Sequence, residues 1–213
     1  MNHRALLVAC IVLLSGIHLA ARSVTASIVH LTLQSQPGDF IGGGHAFDVT
    51  YDSAALPTPT ISAQVRRTLP TGEPAELLWV LNQNTASDTF ALVFFGTDGL
   101  GIAMQPGYYP NAQRADFVAP GHPGLDISFQ HRGCNTVTGN FTVTQALFGS
   151  GNSIQQFSAS FEQHCEGGTP ALFGTFSYAV PEPTTVAMII CAGIQFIRRH
   201  RSPKLAALSL RSL

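Results

Sequence analysis

Between residues 27 and 179 apolar residues never recur at helical spacing over a useful length, yet in several stretches they recur at every second position. Along Ser153–Cys165, Phe157, Ala159, Phe161 and Cys165 fall on one side of an extended chain. Ser158, Ser160, Glu162 and His164 fall on the other. Along Thr136–Phe148, Val137, Phe141, Val143 and Leu147 oppose Thr138, Asn140, Thr142 and Thr144. A period of two is the signature of antiparallel strands with one face in a core and one in water. Runs of Phe, Val, Thr and Ile, broken by Gly, Pro, Asn and Asp, predict further strands at Ile28–Gln34, Ala46–Tyr51, Ile61–Arg67, Ala75–Leu81, Thr89–Phe95, Leu125–His131 and Ala171–Tyr178. Leu77-Leu78-Trp79-Val80 and Phe90 to Phe95 are apolar throughout and read as central strands. Gly149-Ser150-Gly151-Asn152 reads as a hairpin turn. The expectation is an all-β fold, a single antiparallel β-sandwich or β-barrel of about 150 residues, large enough to bury a real core.

The two ends of the chain have a different character. Met1 to Arg4 is a short positive segment, Ala5 to Ala20 is apolar, and Val24-Thr25-Ala26 offers small residues before Ser27. This reads as a secretory signal peptide, residues 1–26, cleaved after Ala26. At the other end Pro181-Glu182-Pro183 cannot sit inside a helix, because Pro183 disfavours α geometry at Glu182. An apolar run, 184–197, follows at once and is closed by Arg198, Arg199 and Arg201. As a helix those 14 residues reach about 21 Å, short of the roughly 30 Å hydrocarbon core of a bilayer. The run therefore suits a short transmembrane segment that pauses in the membrane. Arg198, Arg199, Arg201, Lys204 and Arg211 keep the basic tail, 202–213, cytoplasmic by the positive-inside rule, which leaves everything before Pro181 outside.

With the ends set aside, the exported part is acidic. Residues 27–179 carry four arginines, no lysine and eleven acids, a net charge of about −7 that the near-neutral whole chain conceals. Such a charge argues against nucleic acid or an anionic membrane surface as a partner. It also leaves Cys134 and Cys165 as the cysteines of the exported part. An even pair in an oxidising compartment reads as a disulfide. The alternative is a thiol or metal site with Glu162, His164 and Glu166. That spacing matches no zinc template, and a strand would send His164 and Cys165 to opposite faces.

Pro181-Glu182-Pro183, the hydrophobic segment and Arg198-Arg199, in that order, resemble the PEP-CTERM sorting signal of bacterial exported proteins over residues 180–201. The resemblance implies handling by an exosortase, a membrane protease-transpeptidase, often in bacteria that make extracellular polysaccharide. Residues 202–213 and Gln195 depart from the pattern. An ordinary membrane anchor is the alternative. A second resemblance spans most of residues 28–178. Gln36 to Gly44, Arg132 to Gly139 and Phe161 to Gly174 look like a small module of secreted bacterial proteins, without an activity to carry over. It favours pairing Cys134 with Cys165.

No constellation of catalytic residues emerges, and no cofactor is implied. Gly42-Gly43-Gly44 lacks the Lys-Ser/Thr of a phosphate loop and reads as a turn needing positive φ. His45, His131 and His164 with Glu162 match no metal template. Asp39, Asp48, Asp52, Asp98 and Asp126 form no calcium-loop array. Glu162 and Glu166 suit a glycosidase pair only if their separation allows it. Tyr108, Tyr109 and Trp79 suggest an aromatic platform for carbohydrate, Trp79 being the one better suited to the core. The expected function is an exported cell-surface or extracellular-matrix protein with a non-enzymatic β-domain of structural or binding role. The alternatives are a secreted hydrolase or a carbohydrate-binding module.

Overall fold

Ten strands follow one another along the chain: β1 (Ile28–Ser35), β2 (Ala46–Asp52), β3 (Thr60–Thr68), β4 (Pro74–Asn82), β5 (Ala91–Gly96), β6 (Gly107–Arg114), β7 (Gly124–Phe129), β8 (Val137–Phe148), β9 (Ile154–Cys165) and β10 (Ala171–Ala179). The computed structural model describes residues 26–87 and 89–181. The signal peptide before Ala26, the motif residues Glu182 and Pro183, the run 184–197, Arg198, Arg199 and the tail 202–213 lie outside the described residues. Pro181 is exposed at the last described position. No helix among the described residues is long and apolar enough to cross a membrane.

All ten strands join one sheet in the order β2-β1-β10-β9-β8-β6-β7-β5-β4-β3, nearly closed into a barrel. The barrel is thus the nearer of the two expected architectures. The seam between the terminal strands β2 and β3 is bridged by the β4–β5 loop. Gln83 Nε2 donates to the Thr50 carbonyl at 2.8 Å, and the Tyr51 hydroxyl donates to the Thr89 carbonyl. Asn84 Nδ2 donates to the Thr58 carbonyl at 2.8 Å beside β3. The Gln83 bond occupies a backbone carbonyl of the terminal strand β2, one of the groups that a sheet edge leaves open.

The interior is filled by aromatic side chains. Trp79 of β4 is fully buried, with ring centroids 5.0 Å from Phe157, 4.7 Å from Phe176 and 5.9 Å from Tyr178. Phe95 of β5 meets Phe141 at 5.2 Å and Phe157 at 5.2 Å. These rings come from inward positions of five strands, as a two-residue period requires. Trp79 and Tyr109 therefore belong to the core and are removed from the expected aromatic platform. Tyr108, 62% exposed, stays outside.

Three strand details differ from the sequence expectation. No strand was expected at β6, which contains Pro110. The ladder to β8 shifts register between Tyr109 and Ala112, so Pro110 sits where no ladder donor is needed. Strands β6 and β7 pair in parallel over two residue pairs, Gln113 with Gly124 and Arg114 with Leu125, so the sheet is not wholly antiparallel. In β8 the register shifts between Val143 and Gln145, leaving Thr144 as an extra residue. A bulge of one residue reverses the phase of everything beyond it. Ala146 and Phe148 turn inward, and Leu147, expected beside Val143, is 50% exposed. The expected hairpin turn is a short 3-10 segment, Ser150–Asn152, with Gly151 at φ 64°.

Candidate functional site

The outer face of β1, β10, β9 and β8 carries side chains in two rows that run across the strands. One row is Asp48, Thr32, Thr175, Ser160 and Thr142, continued by Tyr108 on β6. The next is Gln34, Phe173, Glu162 and Asn140. The first row is short hydroxyls in its middle; the second is long side chains. The step between them forms an open trough of about 390 Å³. Gly174 forms part of its floor. A Cβ there would lie 2.4 Å from the Phe161 ring and 2.4 Å from the Thr32 carbonyl oxygen, so only glycine lets that ring approach the backbone.

The polar groups in the trough are already ordered. Glu162 Oε2 accepts from Asn140 Nδ2 at 3.0 Å, and its Oε1 pairs with His164 Nε2 at 3.0 Å. Together, the Asn140 amide first and His164 second, they hold the Glu162 carboxyl below the usual range, so it stays ionised. The Thr32 and Thr175 hydroxyls lie 2.7 Å apart, and Thr32 Oγ1 accepts from the Thr175 N–H at 3.1 Å. Phe173, 39% exposed, offers a phenyl face beside them. No lysine or arginine lines the trough. Hydroxyls both donate and accept, amides do each at separate atoms, and a carboxylate accepts only. The set can hold a ligand rich in hydroxyls.

The other candidate residues are committed elsewhere. Cys134 and Cys165 are joined, S–S 1.94 Å and Cα–Cα 5.1 Å, inside the core. Glu166, just beyond β9, accepts from the Asn135 N–H and from the Thr136 hydroxyl. The Asn135 N–H bond is the main reason its carboxyl is lowered. It thus anchors the turn that presents Cys134, while Glu162 points into the trough. Asp39 accepts from the Gly42 N–H at 2.8 Å and Asp52 from the Ala54 N–H at 2.8 Å. Asp48 pairs with His30, Asp98 with Arg67 and Asp126 with Arg114. His45 lies edge-on to Phe47, and His131 stacks on Phe90 at 4.6 Å. Among the described residues no group of three or more His, Cys, Asp or Glu is placed to hold a metal ion. Gly43 and Gly44 have φ of 61° and 85°, as the turn reading required.

Two arrangements lie beyond what sequence pattern showed. A register shift in β3 between Val65 and Arg67 lets consecutive arginines serve one cluster. Arg67 reaches Glu76 at 3.0 Å and Asp98 at 2.8 Å, while Arg66 reaches Asp116 at 2.9 Å. Burial raises the Glu76 carboxyl despite both arginines. A raised carboxyl suits acid catalysis, but Glu76 is fully buried and presents nothing to a substrate. The second arrangement is Gln163, a fully buried amide on the inward face of β9. Its Oε1 accepts from the Ile127 N–H at 2.8 Å and its Nε2 donates to the Ile127 carbonyl at 2.9 Å. Strand β7 pairs with β6 only as far as Leu125, and the Gln163 amide takes the place of the missing strand.

Comparison of the chain with protein-family models, with curated proteins and with solved structures finds no match.

Proposed function

We propose that this chain is an exported bacterial protein, sorted to the cell surface or extracellular matrix through its PEP-CTERM-like tail, whose β-domain acts by binding. The observation that carries this reading is the Cys134–Cys165 disulfide buried in the domain core. Disulfides of this kind persist in oxidising compartments, and both apolar ends of the sequence direct the domain to one. The acidic domain suits a soluble exported protein and disfavours nucleic acid. The exosortase-type protease is then the processing partner. The run 184–197 holds the chain in the inner membrane until cleavage, with the C-terminus cytoplasmic. Extracellular polysaccharide is a natural neighbour of the released domain.

A secreted hydrolase is the second reading, and the half-buried Glu162–His164 pair favours it most. Its nearest carboxylate in sequence, Glu166, is bonded into the 135–136 turn. That leaves the trough with one ordered carboxylate, which suits holding a ligand better than splitting one by a carboxylate pair. Mass spectrometry of the mature protein from its native host tests the sorting reading. Loss of the segment after Pro181-Glu182-Pro183 is expected. Recovery of Arg211 with the surface protein would replace sorting by a simple anchor. Alanines at Pro181, Glu182 and Pro183 should leave the chain in the membrane.

A further inference from the structure

We infer that the trough across β1, β10, β9 and β8 binds an uncharged polysaccharide chain. The inference rests on reading this face as the binding surface of the domain and adds the chemistry of the ligand. A pyranose presents an apolar ring face and an edge of hydroxyls. The trough presents the complement: the Phe173 phenyl beside Thr175 and Ser160 hydroxyls, with the ionised Glu162 on the next strand. Sugar O–H groups donating to a carboxylate form the stronger class of hydrogen bond. Glu162 is held on both oxygens before any ligand arrives, so less side-chain freedom is lost on binding.

Charge narrows the ligand. A uronate, sulfate or phosphate polymer would meet Glu162 with no cation lining the trough, on a domain of about −7. Shape narrows it further. The rows cross four strands, a span of about 14 Å at about 4.8 Å per strand, and the trough is open above, which suits an extended chain of rings. A protein partner would be expected to cover a broad apolar patch, whereas Phe173 is a single ring among hydroxyls and amides.

Affinity electrophoresis of the full chain through gels carrying dextran, mannan, xylan or mixed-linkage β-glucan, with alginate as the anionic control, tests the inference. Retardation by at least one neutral polymer and none by alginate is expected. Phe173→Ala should weaken that retardation about tenfold, the loss of one stacked ring. Phe117→Ala, at an exposed phenyl outside the trough, should leave it unchanged. Thermal melts of both variants should match the parent, so that lost binding is not lost folding. Passage through all four neutral gels overturns the inference, as does retardation by alginate or an undiminished Phe173→Ala. A chain cleaved and released as the sorting reading requires, yet unretarded, removes the polysaccharide and leaves the export reading standing.

Discussion

Replacing Gln163 by leucine isolates one buried amide that stands in for a strand. Val93 of β5 lies opposite Ile127, while both polar groups of the Ile127 peptide are taken by the Gln163 side chain from the other side. Leucine fills similar volume and removes both partners. Each buried backbone group left unpaired costs about 1–3 kcal/mol, so the pair costs about 2–6 kcal/mol. The apolar side chain returns part of this through its own burial, leaving a loss of about 1–4 kcal/mol. That is a large part of a typical domain stability of about 5–15 kcal/mol. Gln163→Glu sharpens the argument. At neutral pH it retains the acceptor for the Ile127 N–H, loses the donor for the carbonyl and buries a charge, so it should be worse than leucine. In acid the neutral carboxyl regains an O–H donor, and its deficit relative to leucine should shrink or reverse. Denaturant unfolding of the three proteins at neutral and acid pH measures both effects, and hydrogen exchange at the Ile127 amide reports the local opening. A Gln163→Leu protein within about 0.5 kcal/mol of the parent, or a glutamate variant more stable than leucine at neutral pH, would refute the reasoning.

Two further outcomes are expected. Thiol titration of the folded exported protein should find neither Cys134 nor Cys165 reactive, and converting both to alanine should cost about 4 kcal/mol for a 31-residue separation in the chain-entropy model; two titratable thiols in the native protein would remove the disulfide. The Glu76 carboxyl is raised by burial, so the stability it contributes is present below the ordinary carboxylate range and is lost as pH rises through its folded value. Melting of the parent against Glu76→Gln between about pH 7 and pH 4 should therefore show the difference moving in the parent's favour as pH falls, and a difference independent of pH would contradict it.

Much of the barrel was legible because burial and the two-residue period act locally. The inward set Phe157, Ala159, Phe161 and Cys165 is buried as the alternation required, and His164 and Cys165 part to opposite faces. What failed to show was whatever depends on a partner strand. Leu147 keeps the sequence alternation of β8, but the extra residue at Thr144 turns it outward, and a bulge leaves no mark in hydropathy. Tyr109 and Pro110 lie outside every predicted strand, and proline within a strand is accommodated here only by the register shift to β8. Gln163 looked like one more polar residue. Its role follows from where β6 stops accompanying β7, which concerns strands far from it in sequence.

The trough is the extreme case, since its rows run perpendicular to the chain. Thr32 and Thr175 share a hydrogen bond across 143 positions of sequence, and Ser160 and Thr142 join them only through the registers of two further strand pairings. Taken singly, each is a polar residue on the solvated face of an antiparallel strand, as the alternation leads one to expect. Glu162 and His164 did stand out, but beside Cys165 and Glu166 they suggested a metal or a carboxylate pair. The disulfide takes Cys165 inward and the 135–136 turn takes Glu166 away, which leaves Glu162 to Asn140 on the neighbouring strand. A sheet face thus acquires its chemistry from pairing register. A shift of one residue in β10 would send Phe173 and Thr175 inward, bring Gly174 out, and erase the trough without changing the composition of the chain.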